Sequence, residues 1–304
     1  MRTQVQSETL SANSRRTGAT IDGVTPPGDT YIHGHADSVL RSHRWRTADN
    51  SAAYLLPHLA DGMRLLDVGC GPGTLTVDLA GHVGPTGSVV GVDLSPAVIH
   101  EATAYATAQQ AGNVTFHAGD FRALGPADGS FDVVHAHQVL QHLRDPTGAL
   151  AAMGRLARPG GIVAARDSDY PSFLWTPADP RLDRWREIYL AVSDRNGTAA
   201  DAGRWLLRWA LDAGLTDVAY TTSTWTFATP GDRAWWGDLW AERTVASSLA
   251  DQAVEYGVAT RAELEEVAGG FRDWAGRPDG TFVLLHGEIV ARAGASGPTG
   301  APTG

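Results

Sequence analysis

Between Arg64 and Thr74 an apolar run, Leu65-Leu66-Asp67-Val68, meets three glycines at alternate positions, Gly69, Gly71 and Gly73, and then the amphipathic stretch Leu75, Val77, Leu79 and Ala80. A strand that ends in a glycine turn and opens directly onto a helix constrains the fold more than any other part of the chain. Glycine takes positive φ without strain and lets the backbone approach a ligand that a Cβ would push away. An ordinary strand-to-helix turn uses the same residues, so the ligand has to be argued from spacing.

A dinucleotide turn reads G-x-G-x-x-G and would put its third glycine where this chain has Thr74. That turn offers a helix N-terminus to an anionic pyrophosphate. Here Asp67 leads the glycines, and an acid at the strand end suits a cationic ligand better. A second buried strand, Gly87 to Asp93, ends in an acid about twenty residues further on, where a carboxylate can accept hydrogen bonds from both ribose hydroxyls. Asp93 is equally placed to cap the helix begun by Ser95-Pro96-Ala97. A third strand, Val114 to Ala118, runs into Asp120 and Phe121, where Asp120 is placed to cap a turn. Ser130 to Ala136 and Ile162 to Asp167 read as the fourth and fifth strands, and Val218 to Phe227 and Thr281 to Ala291 complete seven.

The motif order resembles that of the class I S-adenosylmethionine (SAM) methyltransferases. Over Tyr31 to Leu59, Leu65 to Leu79, His137 to Pro146, Ala234 to Thr244 and Asp279 to Val290 the chain is similar to the UbiE-like small-molecule subgroup. That subgroup includes the gliotoxin thiol S-methyltransferase and the indole C3-methyltransferase of physostigmine biosynthesis. The resemblance implies an α/β fold with a Rossmann-like, doubly wound, seven-stranded sheet, helical lid insertions and SAM as cofactor. It implies cofactor contacts from Asp67, Gly69, Cys70, Gly71, Gly73, Asp93, Leu94, Asp120, Phe121, Ala136 and His137. Arg46 is the candidate partner for the SAM carboxylate, since a guanidinium pairs with a carboxylate bidentately.

One methyltransferase domain is expected over residues 29–294, with N-terminal cap helices in 29–60 and lid or acceptor insertions in 168–210 and 230–280. Residues 1–28, rich in Ser, Thr, Gly and Pro, and residues 295–304 read as flexible tails. The net charge of −10 and scattered arginines disfavour a nucleic-acid partner. With a single cysteine, Cys70, and no histidine cluster of ligand spacing, no metal site is expected. No apolar run has membrane-spanning length and no secretory segment is seen, so a cytoplasmic monomer or homodimer acting on a small molecule is expected.

Nine of the ten tryptophans lie beyond residue 170. Trp205 and Trp209, four apart on one helix, read as core, as do Trp225 and Phe227 on a strand. Trp175, Trp235, Trp236 and Trp240 are candidates for an aromatic lid over the acceptor, with core packing as the competing explanation. His137, His142, Tyr31 and His35 are the candidates to deprotonate or orient the acceptor, histidine because its ordinary pKa lies near neutrality. An aromatic or indole-like acceptor of secondary metabolism, methylated at carbon, is the leading expectation. A thiol, amine or hydroxyl acceptor, a nicotinamide oxidoreductase and a non-catalytic SAM-binding module stand as alternatives.

Overall fold

Short runs of branched apolar residues bounded by glycine, aspartate and proline become strands in the computed structural model, which describes residues 37–124 and 131–294. They are β1 (Arg64–Val68), β2 (Ser88–Asp93), β3 (Val114–Ala118), β4 (Phe131–His137), β5 (Ala157–Ser168), β6 (Leu174–Thr176), β7 (Thr216–Phe227) and β8 (Thr281–Arg292). The first five are parallel in the order β3-β2-β1-β4-β5. Antiparallel β8 pairs with β5 on one side and β7 on the other. The result is the expected Rossmann-like α/β sheet with one strand more than seven. The addition is β6, which pairs with Thr281 to Val283 and is too short to show a period in the sequence.

Ten helices accompany the described strands: α1 (Asp37–Arg44), α2 (Ala48–Ser51), α3 (Thr74–His82), α4 (Pro96–Ala108), α5 (Pro146–Leu156), α6 (Pro180–Asn196), α7 (Ala202–Asp212), α8 (Pro230–Ala246), α9 (Ser248–Glu255) and α10 (Arg261–Ala275). One sheet face buries Leu66, Val134, Val163 and Ile289 beneath α5 and α7. The other buries Leu65, Val133 and Ile162 beneath the α2 segment and α3. A third core joins α6, α8, α9 and α10 to β6 and to the ends of β7 and β8.

That third core takes in the tryptophans expected to form a lid. Trp185 packs edge-on against Trp240 at 4.6 Å and Phe271 at 5.3 Å, while Trp236 stacks on Phe227 at 4.2 Å. Large aromatics make such cores because each removes much apolar area from water. Segment 168–210 is likewise not one insertion, since α7 is an ordinary sheet-covering helix. Trp205 on α7 is 46% exposed, with its indole donating to Asp201 at 2.8 Å, so it is not the core residue that its spacing from Trp209 suggested. The expected tails, and Tyr31 and His35, lie outside the described residues.

Candidate functional site

The glycine turn takes the backbone it needs. Gly69, Gly71 and Gly73 have φ of 67°, 55° and 81°. A Cβ on Gly69 would lie 2.4 Å from Val139 Cγ2, so only glycine lets β1 end this close to the segment after β4. Gly69 and Gly71 border a cleft of about 360 Å³ at the carboxyl ends of β1, β2 and β4. Gly73 does not line it. A Cβ there would lie 2.8 Å from the Phe116 ring and 2.9 Å from Ala102 Cβ, so its glycine serves helix packing instead.

Asp93 stands in the cleft, with Oδ2 accepting the Gly71 N–H at 3.2 Å and Oδ1 the Ser95 N–H at 3.0 Å. Ser95, not Asp93, caps α4. Leu94, Asp120 and Phe121 border the same cleft, as expected. Burial raises the Asp120 carboxyl, but hydrogen bonds from the Arg122 side chain and backbone outweigh it and hold the group below its ordinary value.

Three expected contacts are repositioned. Asp67 is 2% exposed and committed elsewhere, accepting from Thr76 Oγ1 at 2.6 Å and paired with His135 Nδ1 at 2.9 Å. It touches only a small side pocket that Cys70 shares. The Cys70 thiol is pushed up by burial. Ala136 lies in the apolar core under α5, away from the cleft.

His137 is 4% exposed and lines the cleft, and neither of its ring nitrogens has a hydrogen-bond partner among the described residues. Burial, then the positive charges of Arg46 and Arg166, push it well below the ordinary histidine value. His142 also lines the cleft, on a turn (Leu140–His142) rather than a helix. Burial and then Arg46 push it down to about 3. Both rings are therefore neutral at physiological pH.

A narrow inner cavity of about 30 Å³, room for one water, continues from the cleft. His43, Arg46, Gln138 and His142 line both spaces. Its aromatic walls are Tyr170, Trp225, Trp236 and Trp240. Two of the four expected acceptor tryptophans are thus present. Trp175 stacks on Phe282 at 5.4 Å and Trp235 packs on Trp45 at 5.5 Å, so neither reaches the cavity.

Sequence reasoning missed Gln138 and the polar residues behind it. Gln138 has a φ of 55°, uncommon away from glycine, and its backbone N–H donates to the Arg166 carbonyl at 2.7 Å. Its side chain accepts from Arg46, donates to Ser168 at 2.8 Å and meets His286 Nε2 at 3.0 Å. Buried Arg166 pairs with Glu288 at 3.1 Å and stacks over Trp225 at 4.8 Å. The signal was available: His135-x-His137, Arg166-x-Ser168 and His286-x-Glu288 put polar groups at a period of two in otherwise apolar strands, which places each pair on one sheet face.

Among the described residues no group of His, Cys, Asp and Glu is arranged to hold a metal ion. No helix among them is long and apolar enough to cross a membrane.

Residues 59–196 match the family described as "Methyltransferase domain". An uncharacterized methyltransferase of Schizosaccharomyces pombe is 31% identical over 86% of this chain and 95% of its own length. A probable methyltransferase of Aspergillus luteorubrus is 29% identical over 86% of this chain and 97% of its own. A phosphoethanolamine N-methyltransferase of Haemonchus contortus, solved in complex with SAM, superposes with a TM-score of 0.51 at 17% identity, covering 81% of this chain and 52% of that one. With a strand-end glycine cradle, an acid at the next strand end and a near full-length methyltransferase relative, the chain belongs to the SAM-dependent methyltransferases.

Proposed function

We propose that this methyltransferase acts on an aromatic or indole-like small molecule of secondary metabolism, within the UbiE-like subgroup, with methylation at carbon. The observation that carries the reading is the inner cavity walled by Tyr170, Trp225, Trp236 and Trp240, continuous with the cleft through His43, Arg46, Gln138 and His142. Flat π-faces favour a flat ligand.

The cleft fits the cofactor on its own chemistry. Gly69 and Gly71 border the cleft with positive-φ backbone, Asp93 offers acceptors for ribose hydroxyls, and Phe121 and Leu94 offer an apolar slot beside Asp120 for the adenine. Arg46 is assigned to the cofactor carboxylate. When bound, SAM supplies a methyl group activated on a cationic sulfonium.

What the chain adds is alignment, desolvation and a suitable charge environment. Alignment of reacting groups is worth about 7–11 kcal/mol where it is complete. His137 and His142 are held neutral by burial, so neither sets a positive ring against a cationic methyl donor. A neutral ring nitrogen accepts a hydrogen bond from an acceptor N–H or O–H and orients it. A conjugate acid with a pKa of about 3 is a poor store for the proton, so His142 serves as an orienting group rather than a strong base. Because the inner cavity holds about one water, an aromatic acceptor enters by displacing α1, whose Ser42 and His43 border it. Arg41 ties α1 to Asp238 and Glu242 of α8 through partly exposed ion pairs, which are weak enough to exchange.

The test is a mass-spectrometric screen of SAM with indole, phenol, thiol and amine acceptors. Gain of one CH₂ on an indole carbon, with S-adenosylhomocysteine formed in equal amount, supports the reading. Gain on the thiols alone moves the assignment to sulfur.

A further inference from the structure

We infer that the acceptor carries a ring hydroxyl, and that Trp236 and Gln141 recognise it in the inner cavity. This rests on the reading of that cavity as the acceptor site. Both residues line it, each is 3% exposed, and each holds a buried polar atom with no hydrogen-bond partner among the described residues, Trp236 Nε1 and Gln141 Oε1. The indole nitrogen only donates and the amide oxygen only accepts. One hydroxyl meets both needs, since its oxygen accepts from Trp236 while its proton goes to Gln141.

Size and setting agree with that exchange. The cavity of about 30 Å³ has room for one oxygen of water size, and a water held there needs at least two polar partners. Both side chains are fixed. Trp236 stacks on Phe227 at 4.2 Å and meets the Trp240 ring edge-on at 5.8 Å. Gln141 donates its backbone N–H to Asp167 Oδ1 at 3.2 Å, accepts the Ala199 N–H at 3.1 Å on its carbonyl, and sets its Nε2 beside His142 Nε2 at 3.1 Å. They belong to α8 and to the turn after β4, so neither is carried away with α1 when an acceptor enters. Displacing an ordered water loses affinity unless the incoming group remakes its hydrogen bonds. A hydroxyl remakes both, an ether oxygen remakes only the bond from Trp236, and a ring C–H remakes neither. Because the parent reading puts the methyl on carbon, the hydroxyl is a recognition group. A site built to hydrogen-bond a substrate hydroxyl rejects the analogue that lacks it.

The experiment uses the full chain saturated with S-adenosylhomocysteine and measures by calorimetry the binding of indole, of the hydroxyindoles substituted on the benzo ring, and of their methyl ethers. At least one hydroxyindole should bind about tenfold more tightly than indole, and its ether should lose most of that gain. Trp236→Phe keeps a ring and removes the donor, while Gln141→Met keeps the length and removes the acceptor. Each should cut the gain several-fold and leave the affinities for indole and for S-adenosylhomocysteine within about twofold of wild type, whereas damage to the fold would lower all of them together. Gln141→Met stands in if Trp236→Phe does not fold. No gain from any hydroxyl, a gain that the ethers keep in full, or one that survives both substitutions overturns the inference. Binding of S-adenosylhomocysteine with no binding of any probe overturns the reading of the cavity as an aromatic acceptor site, and the inference with it.

Discussion

Replacing Asp167 with asparagine separates the cost of a buried charge from the bonds that hold the turn beside it. Asp167 is fully buried, and its two oxygens accept the Leu140 N–H at 3.3 Å and the Gln141 N–H at 3.2 Å, which fixes the turn carrying His142. Burial pushes its carboxyl from 3.8 up to about 7, against the opposing pull of those two bonds and of Arg166 and Arg46. Below its unfolded value this carboxyl is protonated in both states and costs nothing. As pH rises towards 7 the unfolded chain releases a proton that the folded chain keeps, and stability falls. A rise of about three pH units, at about 1.36 kcal/mol each, removes about 4 kcal/mol by about pH 8, of which about 3 is lost above about pH 5. Asparagine carries no charge but has one acceptor oxygen for two N–H donors, so it leaves one donor unmet at about 1–3 kcal/mol at every pH. Asp167→Asn is therefore expected to be close to neutral at about pH 5 and more stable than wild type by about 1–3 kcal/mol at about pH 8. Urea unfolding of both proteins across that range gives the difference directly, and subtraction cancels the other titrating groups. A difference that stays flat, or that shrinks as pH rises, would refute the argument from burial.

Three further outcomes follow from the geometry. Asp93→Ala removes the acceptor for the Gly71 and Ser95 N–H groups and the proposed ribose contact, so SAM affinity should fall about 10–100-fold by calorimetry; an unchanged affinity would remove Asp93 from the site. Gly73→Ala adds a Cβ 2.8 Å from the Phe116 ring at a φ of 81°, which should cost about 2–4 kcal/mol in denaturant unfolding; a loss below about 1 kcal/mol would mean that the turn relaxes freely. Trp175→Ala should lose about 3–5 kcal/mol of stability while the acceptor KM stays within about twofold, whereas a large rise in KM in the folded variant would return Trp175 to the acceptor site.

How much of this was legible in the sequence follows from which interactions are local. The positive-φ glycine turn and the succession of seven strands are properties of neighbouring residues, and the structure has them where the sequence puts them because backbone conformation and strand period are local. The inner cavity is not local. Its walls come from Tyr170 after β5, Trp225 on β7 and the Trp236–Arg243 face of α8, and nothing in any one segment distinguishes a tryptophan that lines a space from one that fills it. Trp175 and Trp236 are almost equally buried, at 8% and 3%, yet only the second reaches the cavity.

Asp67 shows the opposite case, a residue whose role was misread although its neighbours held the answer. An acid at the end of a strand in front of a glycine turn invites a ligand contact, but it sits in register with His135 on the adjacent strand and on the same face. Period-two alternation puts Val68, which lines the cleft, on the opposite face from Asp67. Asp67 is left facing α3, where Thr76 donates to it. Its hydrogen bonds therefore tie the end of β1 to α3 and β4 rather than reach into the cleft. The same alternation puts His135 and His137 on one face, beside Arg166, Ser168, His286 and Glu288, and makes that face polar at the carboxyl ends of the parallel strands β4 and β5 and at the positions of antiparallel β8 that pair with them. Deep in the sheet the positions on this face are Leu65, Val133 and Ile162. The change from apolar to polar along a single face marks where a closed core gives way to a site, and it can be read in a sequence once the strands have been paired.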